Sequence, residues 1–405
     1  MSRLIEIALG IVTGIGGFLE AGSLATAAQA GAGFRFELIW AVILGATCLA
    51  FLVEMCGRLS AISKHTVPDA LRERFGFRFF MVPLVVMQLV MLMVLATELG
   101  GVALALQMIS GVSYRWWSVP VGLLSWALLW KGTFGLIEKG VSVLGLVTLA
   151  FVVGALHLHP PFGEVARGAL PRLPAHDGAQ YWFLAVSILG ASISPYLFFF
   201  YSAGAVEDRW DVSHLAINRI TAGAGMGFGG IVAVGALVLA GMVFHPAGIK
   251  VDSYQQLPLL LTSALGHWGF VLFVASLGIA CFGAAQEIAV TSAYLMAQGF
   301  GWRWSENLPP AEDARFSLSY TAMTAVACLP VLAGVDVLKL TNISMVVSAA
   351  SLPVVVLPLL VIMNDRRYLR DYCNGWVANT AVTAIVLLAG VLAVVSFPLL
   401  IAGGG

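Results

Sequence analysis

The chain has 405 residues, 60% hydrophobic and only 10% charged, and its 21 basic and 21 acidic side chains cancel. Soluble domains carry about 25% charged and 45–50% apolar residues, so a soluble protein is excluded. Zero net charge without a basic tract excludes a nucleic-acid partner, and the apolar residues fall in runs of about the ~20 residues that cross a bilayer.

Apolar runs bounded by charged or Pro/Gly-rich breaks predict an all-α polytopic membrane protein of eleven spans. They lie at about 4–30, 37–58, 80–109, 116–131, 139–157, 179–205, 217–245, 266–299, 315–335, 338–363 and 376–402. With the N-terminus in the cytoplasm, Arg3, Arg58, Lys64, Arg72, Arg74, Arg78, Lys131, Lys139, Arg209, Arg219, Arg303, Arg315, Arg366, Arg367 and Arg370 fall inside. Arg35, Arg115, Arg167, Arg172, Lys250 and Lys339 fall outside. This 15 to 6 split obeys the positive-inside rule and puts the C-terminus outside, as expected of a bacterial inner-membrane protein. The longest breaks, 59–79 and 158–178, leave no room for a soluble domain, so residues 1–405 form one transmembrane domain, expected to be monomeric. No cofactor motif or catalytic constellation appears, and no enzyme is expected.

In chain order, the first span raises the question of a signal peptide, because Arg3, an apolar stretch and Ala25-Thr26-Ala27 mimic one. Glu6 and Glu20 interrupt that stretch, so a retained helix is expected. The span also carries Gly10, Gly14, Gly16 and Gly17, then Glu20-Ala21-Gly22-Ser23 near its middle. Glu54, near the cytoplasmic end of the second span, reads as structural, and Glu98 is an acid deep in the third. His157 and His159 lack a third ligand nearby and read as interfacial. The Pro-rich segment after them reads as an ordered external loop.

The sixth span holds Gly190-Ala191-Ser192-Ile193-Ser194-Pro195 at its centre, followed by an aromatic packing face from Tyr196 to Tyr201. Gly223-Ala-Gly225-Met-Gly227-Phe-Gly229-Gly230 opens no βαβ unit and reads as close helix packing. Glu287 is a second deep acid, in the eighth span. The five cysteines (Cys48, Cys56, Cys281, Cys328 and Cys373) form no CxxC or Cys/His cluster, so packing is expected rather than a zinc site or a disulfide framework.

Glycine weakens a helix and proline removes a donor. Within a bilayer, backbone freed in this way survives only where it lines a cavity or binds something. The two breaks lie five spans apart, the pattern of a transporter with inverted repeats and a midplane site. The repeats would be 4–157 and 179–363, with 376–402 as an added helix. An acid at the bilayer centre costs at least ~2.5–3.5 kcal/mol, which makes Glu20 a functional candidate.

These residues carry a family likeness. The run from Glu20 through Gly31-Ala-Gly-Phe34 to Leu38-Ile39-Trp40 resembles the first-span signature D-P-G-N-x-A-T-D-x-x-A-G-x-x-F-G-Y-x-L-L-W of the Nramp divalent-metal transporters. Asp69-Ala-Leu-Arg-Glu-Arg-Phe is similar to a shortened form of that family's segment before the third span. Ala96-Thr97-Glu98-Leu99 with Ala103-Leu104-Ala105-Leu106 resembles its third span. Gly190 to Tyr196 sits where the family has G-A-T-V-M-P-H, and Leu352-Pro353, Pro358 and Asp365-Arg366-Arg367 reproduce its tenth-span spacing.

The resemblance implies a LeuT-like fold of the APC superfamily, with five-plus-five inverted repeats, alternating access and a metal held between the broken spans 1 and 6. By position, Glu20 stands for the metal-binding Asp, Ser23 for the Asn, Ala191 for the carbonyl donor and Ser194 for the Met. Gly22 lies within the same break. Met345 falls where a Gln assists, and Tyr196 replaces a His linked to proton movement. Glu98 matches one third-span acid, Leu95 occupies the place of the other, and the span-9 arginines have no match; Glu287 is a further coupling candidate.

Losing the soft ligand leaves a hard oxygen set at these positions, which suits Mg²⁺ or Mn²⁺ over softer metals. The altered Tyr196 and Leu95 positions weaken the case for proton coupling. Glu20 alone balances one positive charge, which keeps open an alternative: a small organic solute, an amine or amino acid, carried on the same fold.

Overall fold

The computed structural model describes residues 20–131, 140, 143–174, 176–305 and 309–401. Gly10, Gly14, Gly16 and Gly17 lie outside the described residues. The described chain is helical. Its elements are α1 (Ala21–Phe34), α2 (Ile39–Ser63), α3 (Val67–Phe75), α4 (Phe77–Ser110), α5 (Tyr114–Trp130), α6 (Leu149–His157), α7 (Phe162–Gly168) and α8 (Gly178–Ser192). They continue as α9 (Pro195–Glu207), α10 (Leu215–Val243), α11 (Pro258–Leu265), α12 (His267–Phe300), α13 (Ala314–Ala333), α14 (Val337–Met363), α15 (Arg366–Leu369) and α16 (Trp376–Ile401).

Among the described residues, eight helical segments are long and apolar enough to cross a bilayer, α8 and α9 counting as one. The shorter α1, α5 and α6 supply counterparts for the remaining expected spans. The sixth span is broken as its sequence suggests: α8 ends at Ser192, Ile193 and Ser194 leave the helix, and Pro195 starts α9.

Three stretches between expected spans are partly helical rather than plain loops. The 59–79 break holds α3, where Thr66 accepts the Asp69 N–H at 3.3 Å and Pro68 occupies the first turn. Val67, Ala70 and Leu71 are buried on one side of α3 while its charged residues stay outside. Gly76, at φ 84°, then takes a backbone conformation that a side chain would strain, and the chain turns into α4. The Pro-rich segment after His159 contains α7, and α11 lies between spans 7 and 8.

The two longest helices, α4 and α12, have 34 residues each, about 51 Å at 1.5 Å per residue, and pack along one another. Against them lie α13, α5 and α14. On the other side α1 packs on α10 and α8, and α2 packs on α10, α9 and α8. The α8–α9 pair is the most enclosed of the long segments and α16 the least, so the broken helix sits at the centre of the bundle.

One end of the bundle gathers Arg58, Lys64, Arg72 and Arg74. Arg58 forks onto Glu54 at 3.1 and 3.0 Å and also donates to Asn374 Oδ1 at 2.7 Å and to the Tyr372 carbonyl. Lys64 donates to the Trp210 carbonyl, Arg72 to the Gly299 carbonyl at 3.2 Å and Arg74 to Asp365 at 3.1 Å. These bonds tie together the ends of α2, α3, α9, α12 and α14. At the opposite end Arg35 pairs with Glu164 of α7, and Tyr181 donates to the Arg172 carbonyl at 3.0 Å.

Cys48, Cys56 and Cys281 are buried, Cys328 and Cys373 are half-buried, and none is bridged. The His157 and His159 rings stand 6.5 Å apart between centroids. Among the described residues no group of three or more His, Cys, Asp and Glu side chains is arranged to hold a metal. In the glycine run of α10, Gly225, Gly229 and Gly230 are buried, whereas a side chain at Gly223 or Gly227 would meet open space. Close packing therefore accounts for only part of that run.

Candidate metal site

Glu20 caps α1, with its backbone N–H donated to Ser23 Oγ at 3.2 Å in a reciprocal capping box. Ser194 caps α9. The two helix starts meet here, because Ser194 Oγ lies 2.9 Å from Glu20 Oε1, across 174 residues of sequence. The same hydroxyl lies 2.7 Å from the Ala191 carbonyl oxygen at the end of α8. A hydroxyl has one proton, so it satisfies one of these acceptors at a time. The Tyr196 hydroxyl also hydrogen-bonds the Glu20 carboxylate. Glu20 Oε2 is buried with no hydrogen-bond partner.

At this break Glu20 Oε2 is thus an acceptor left without a donor. The last carbonyls of α8 bring partial negative charge to the break, and the first N–H groups of α1 and α9 bring partial positive charge. A buried acceptor without a donor costs roughly 1–3 kcal/mol, more when charged, and a cation removes that cost. The chemistry of the donor set, carboxylate, hydroxyl and carbonyl oxygen, fits a hard or borderline metal ion.

Glu98 reaches this place from the middle of α4. Both of its carboxylate oxygens lie 3.1 Å from the Ala21 N–H, at the first residue of α1. It lies within electrostatic reach of Glu20 and accepts a hydrogen bond from the Cys281 thiol. Two acids therefore stand at one buried spot, where the sequence pointed firmly only to Glu20. Leu95, one turn earlier on α4, is fully buried. Glu287 of α12 is within electrostatic reach of Tyr196, as are Glu20 and Glu98.

Met345 of α14 enters the site from the third side. A side-chain carbon built on Gly22 would fall 2.5 Å from Met345 Sδ and 2.6 Å from its Cε, so the thioether lies directly over the α1 backbone between Glu20 and Ser23. The backbone carbonyl of Met345 presses on Gly190 of α8 so closely that any Cβ there would clash. The Met345 thioether thus lies against the turn of α1 that carries Glu20 and Ser23.

Glu20, Ser23, Ala191, Ser194, Tyr196 and Met345 are each no more than 3% exposed, and Glu98 is fully buried. The site is enclosed. Toward the Arg35 end it is covered by Tyr254, whose hydroxyl donates to the Ala21 carbonyl at 3.0 Å and meets Thr341 Oγ1 at 3.1 Å. Nothing in the sequence around Tyr254 signals this contact, because its partner is 233 residues away.

The family described as natural resistance-associated macrophage protein-like (Nramp) matches residues 10–398. A divalent metal cation transporter, MntH, of Deinococcus radiodurans is 26% identical over 388 residues, 91% of this chain and 83% of that protein. The MntH of Aeromonas hydrophila is 24% identical over 385 residues, 92% of this chain and 90% of that protein. Among solved structures, the manganese transporter of Eremococcus coleocola superposes with a TM-score of 0.81 at 20% identity, covering 99% of this chain and 88% of the other. The nucleobase-cation-symport transporter Mhp1 gives 0.59 at 15% identity over 97% of this chain and 92% of its own. The amino-acid-bound MhsT gives 0.64 at 12% identity over 96% and 98%. The common architecture is the LeuT-like fold, and the chain belongs to the Nramp family, membrane transporters and not enzymes.

Proposed function

We propose that this protein moves a divalent cation, Mn²⁺ or Mg²⁺ in preference to softer metals, across the membrane by alternating access. The observation that carries the reading is the unpartnered Oε2 of Glu20 at the meeting point of α1, α8 and α9, beside a second buried acid. Two carboxylates neutralise a divalent ion where one would leave it charged, and a buried charge is tolerated only when compensated. The names of the two MntH relatives support the same cargo class.

Glu20, Ser23, Ala191 and Ser194 are the ligands in this reading, altered from the family pattern. Gly22 gives the ion and the Met345 thioether close access to the α1 backbone. Oxygen donors suit Mg²⁺ and Mn²⁺ alike, and the single thioether favours Mn²⁺ of the two. Because the site is enclosed, the ion reaches it only after helices move, with residues 4–157 and 179–363 as the two repeats and 376–402 as the added helix.

The end bearing Arg58, Lys64, Arg72 and Arg74 faces the cytoplasm under the positive-inside rule, and the chain works as a monomer. Tyr196 and Leu95 stand where the family pattern has a proton-linked His and an acid, so cation influx proceeds without stoichiometric proton influx. The organic-solute alternative gains nothing from a second acid, since one carboxylate balances an amine.

Purified protein in proteoliposomes tests this directly. Mn²⁺ or Mg²⁺ influx that disappears in Glu20→Ala, with an unchanged internal pH trace in the wild type, is the expected result. Absence of flux for every divalent ion, with stabilisation by amines or amino acids alone, would overturn it.

A further inference from the structure

The open face of the α10 glycine run borders a groove of about 720 Å³ between α2 and α10, a volume within the ~300–1,000 Å³ of ligand clefts. Gly223 and Gly227 form its floor, with nothing within 4 Å of the place a side chain would take. Its α2 wall runs from Ile39 to Glu54, about 22 Å at 1.5 Å per residue, more than half of the ~30 Å hydrocarbon core. The metal site lies elsewhere, and none of its residues lines this groove.

The two ends differ. At one, Val165 and Ala166 of α7 lie across the groove. At the other stand Glu54 and Arg219, on the end of the bundle that carries Arg58 and Lys64. Glu54 is already held by the two-pronged contact from Arg58, and Arg219 lies 3.8 Å away with 68% of its side chain exposed. Two guanidinium groups against one carboxylate leave a surplus positive charge at the mouth of an apolar channel.

We propose that this groove binds one anionic glycerophospholipid, its phosphate on Arg219 and one acyl chain lying over Gly223 and Gly227. Three features select this occupant. The surplus charge matches an anionic headgroup, and basic pockets between transmembrane helices bind such headgroups. The lining beyond the mouth is apolar, as an acyl chain requires. A helix of a second copy, ~10–12 Å across with side chains, would meet Val165 and Ala166 of α7 at one end of the groove. The lipid would brace α2 against α10, two helices that both flank the broken pair.

The test uses detergent-purified full-length protein, with thermal unfolding and native mass spectrometry in dioleoylphosphatidylglycerol or dioleoylphosphatidylcholine. Phosphatidylglycerol is expected to raise the unfolding temperature and to remain bound as one molecule, while phosphatidylcholine does neither. Arg219→Gln should weaken phosphatidylglycerol about fivefold, the loss of one basic contact. Gly227→Leu should abolish the retained lipid without lowering the lipid-free unfolding temperature, because its side chain enters open space and replaces a glycine inside a helix. Equal effects of the two lipids, or lipid retention by Gly227→Leu, would overturn the proposal. So would a dimer that Gly227→Leu converts to monomer, since a second copy would then fill the groove.

Discussion

Glu98 places both carboxylate oxygens 3.1 Å from the backbone N–H of Ala21, so an acid in the middle of α4 holds the first residue of α1. The bond fixes where α1 begins, and the residue before it is Glu20. A carboxylate at a helix N-terminus is favoured by the exposed N–H groups and the helix dipole. Glu98 therefore sets both the position and the charge of the site.

Glu98→Gln keeps an acceptor for Ala21 and removes the charge. Hydrogen bonds to charged groups are worth ~1.5–3 kcal/mol, so Mn²⁺ affinity should fall about ten- to hundredfold. The measurement is the concentration dependence of influx in proteoliposomes beside the unfolding temperature of the same preparation. An unchanged affinity would mean that Glu98 only anchors α1.

Met345→Leu removes the sulfur at nearly constant volume, a change that costs under ~1.5 kcal/mol in stability. Soft metals gain most from a thioether. The variant should therefore retain Mn²⁺ influx while inhibition by Cd²⁺ weakens. Cd²⁺ competition curves that superpose on those of the wild type would remove Met345 from the ligand set.

Gly190→Ala places a Cβ against the Met345 carbonyl, which is backbone and cannot rotate away. Either α8 or α14 must shift, at a cost of ~1–3 kcal/mol, and Ala191 and Ser194 move with α8. Unfolding temperature and influx should both drop. Gly223→Ala is the matched control, since it faces open space and gains up to ~1 kcal/mol of helix propensity. Equal effects of the two variants would show that close approach at Gly190 is not limiting.

The spans were legible because hydropathy is a property of local sequence, and the sixth-span break because Pro195 and its small neighbours disrupt a helix locally. Glu20 stands out as an acid inside an apolar run, and Ser194 through the resemblance of its segment to the family's sixth-span break. Contacts that depend on distant chain were not legible. Nothing local says that Glu98 bonds Ala21, that Tyr254 covers the break, or that Met345 lies on Gly22. The glycine run of α10 reads as packing in the sequence because spacing shows that small residues share a face, not whether a neighbour fills it. The short helices α3, α7 and α11 give no hydropathy signal of their own, because they are too short to cross a bilayer.

Asp365 offers a test of the bonds that close the cationic end. Its carboxylate accepts from Arg367 Nη2 at 2.5 Å and Arg74 Nε at 3.1 Å, and it caps the Arg367 backbone N–H at 3.0 Å. The Arg367 side chain first, then its N–H and the Arg74 charge, hold the carboxyl below the usual carboxylate range. A carboxyl depressed in the folded state stabilises the fold fully above its unfolded pKa, ~3.9, and loses that contribution as pH falls toward the depressed value. Asp365→Asn should therefore lower the unfolding temperature at pH 7, and the gap from the wild type should narrow steadily below about pH 4. Salt should shrink the same gap, because both arginine partners are partly exposed. A gap that stays constant from neutral pH into acid would show that the clasp between α3 and the turn after α14 is held by packing rather than by charge.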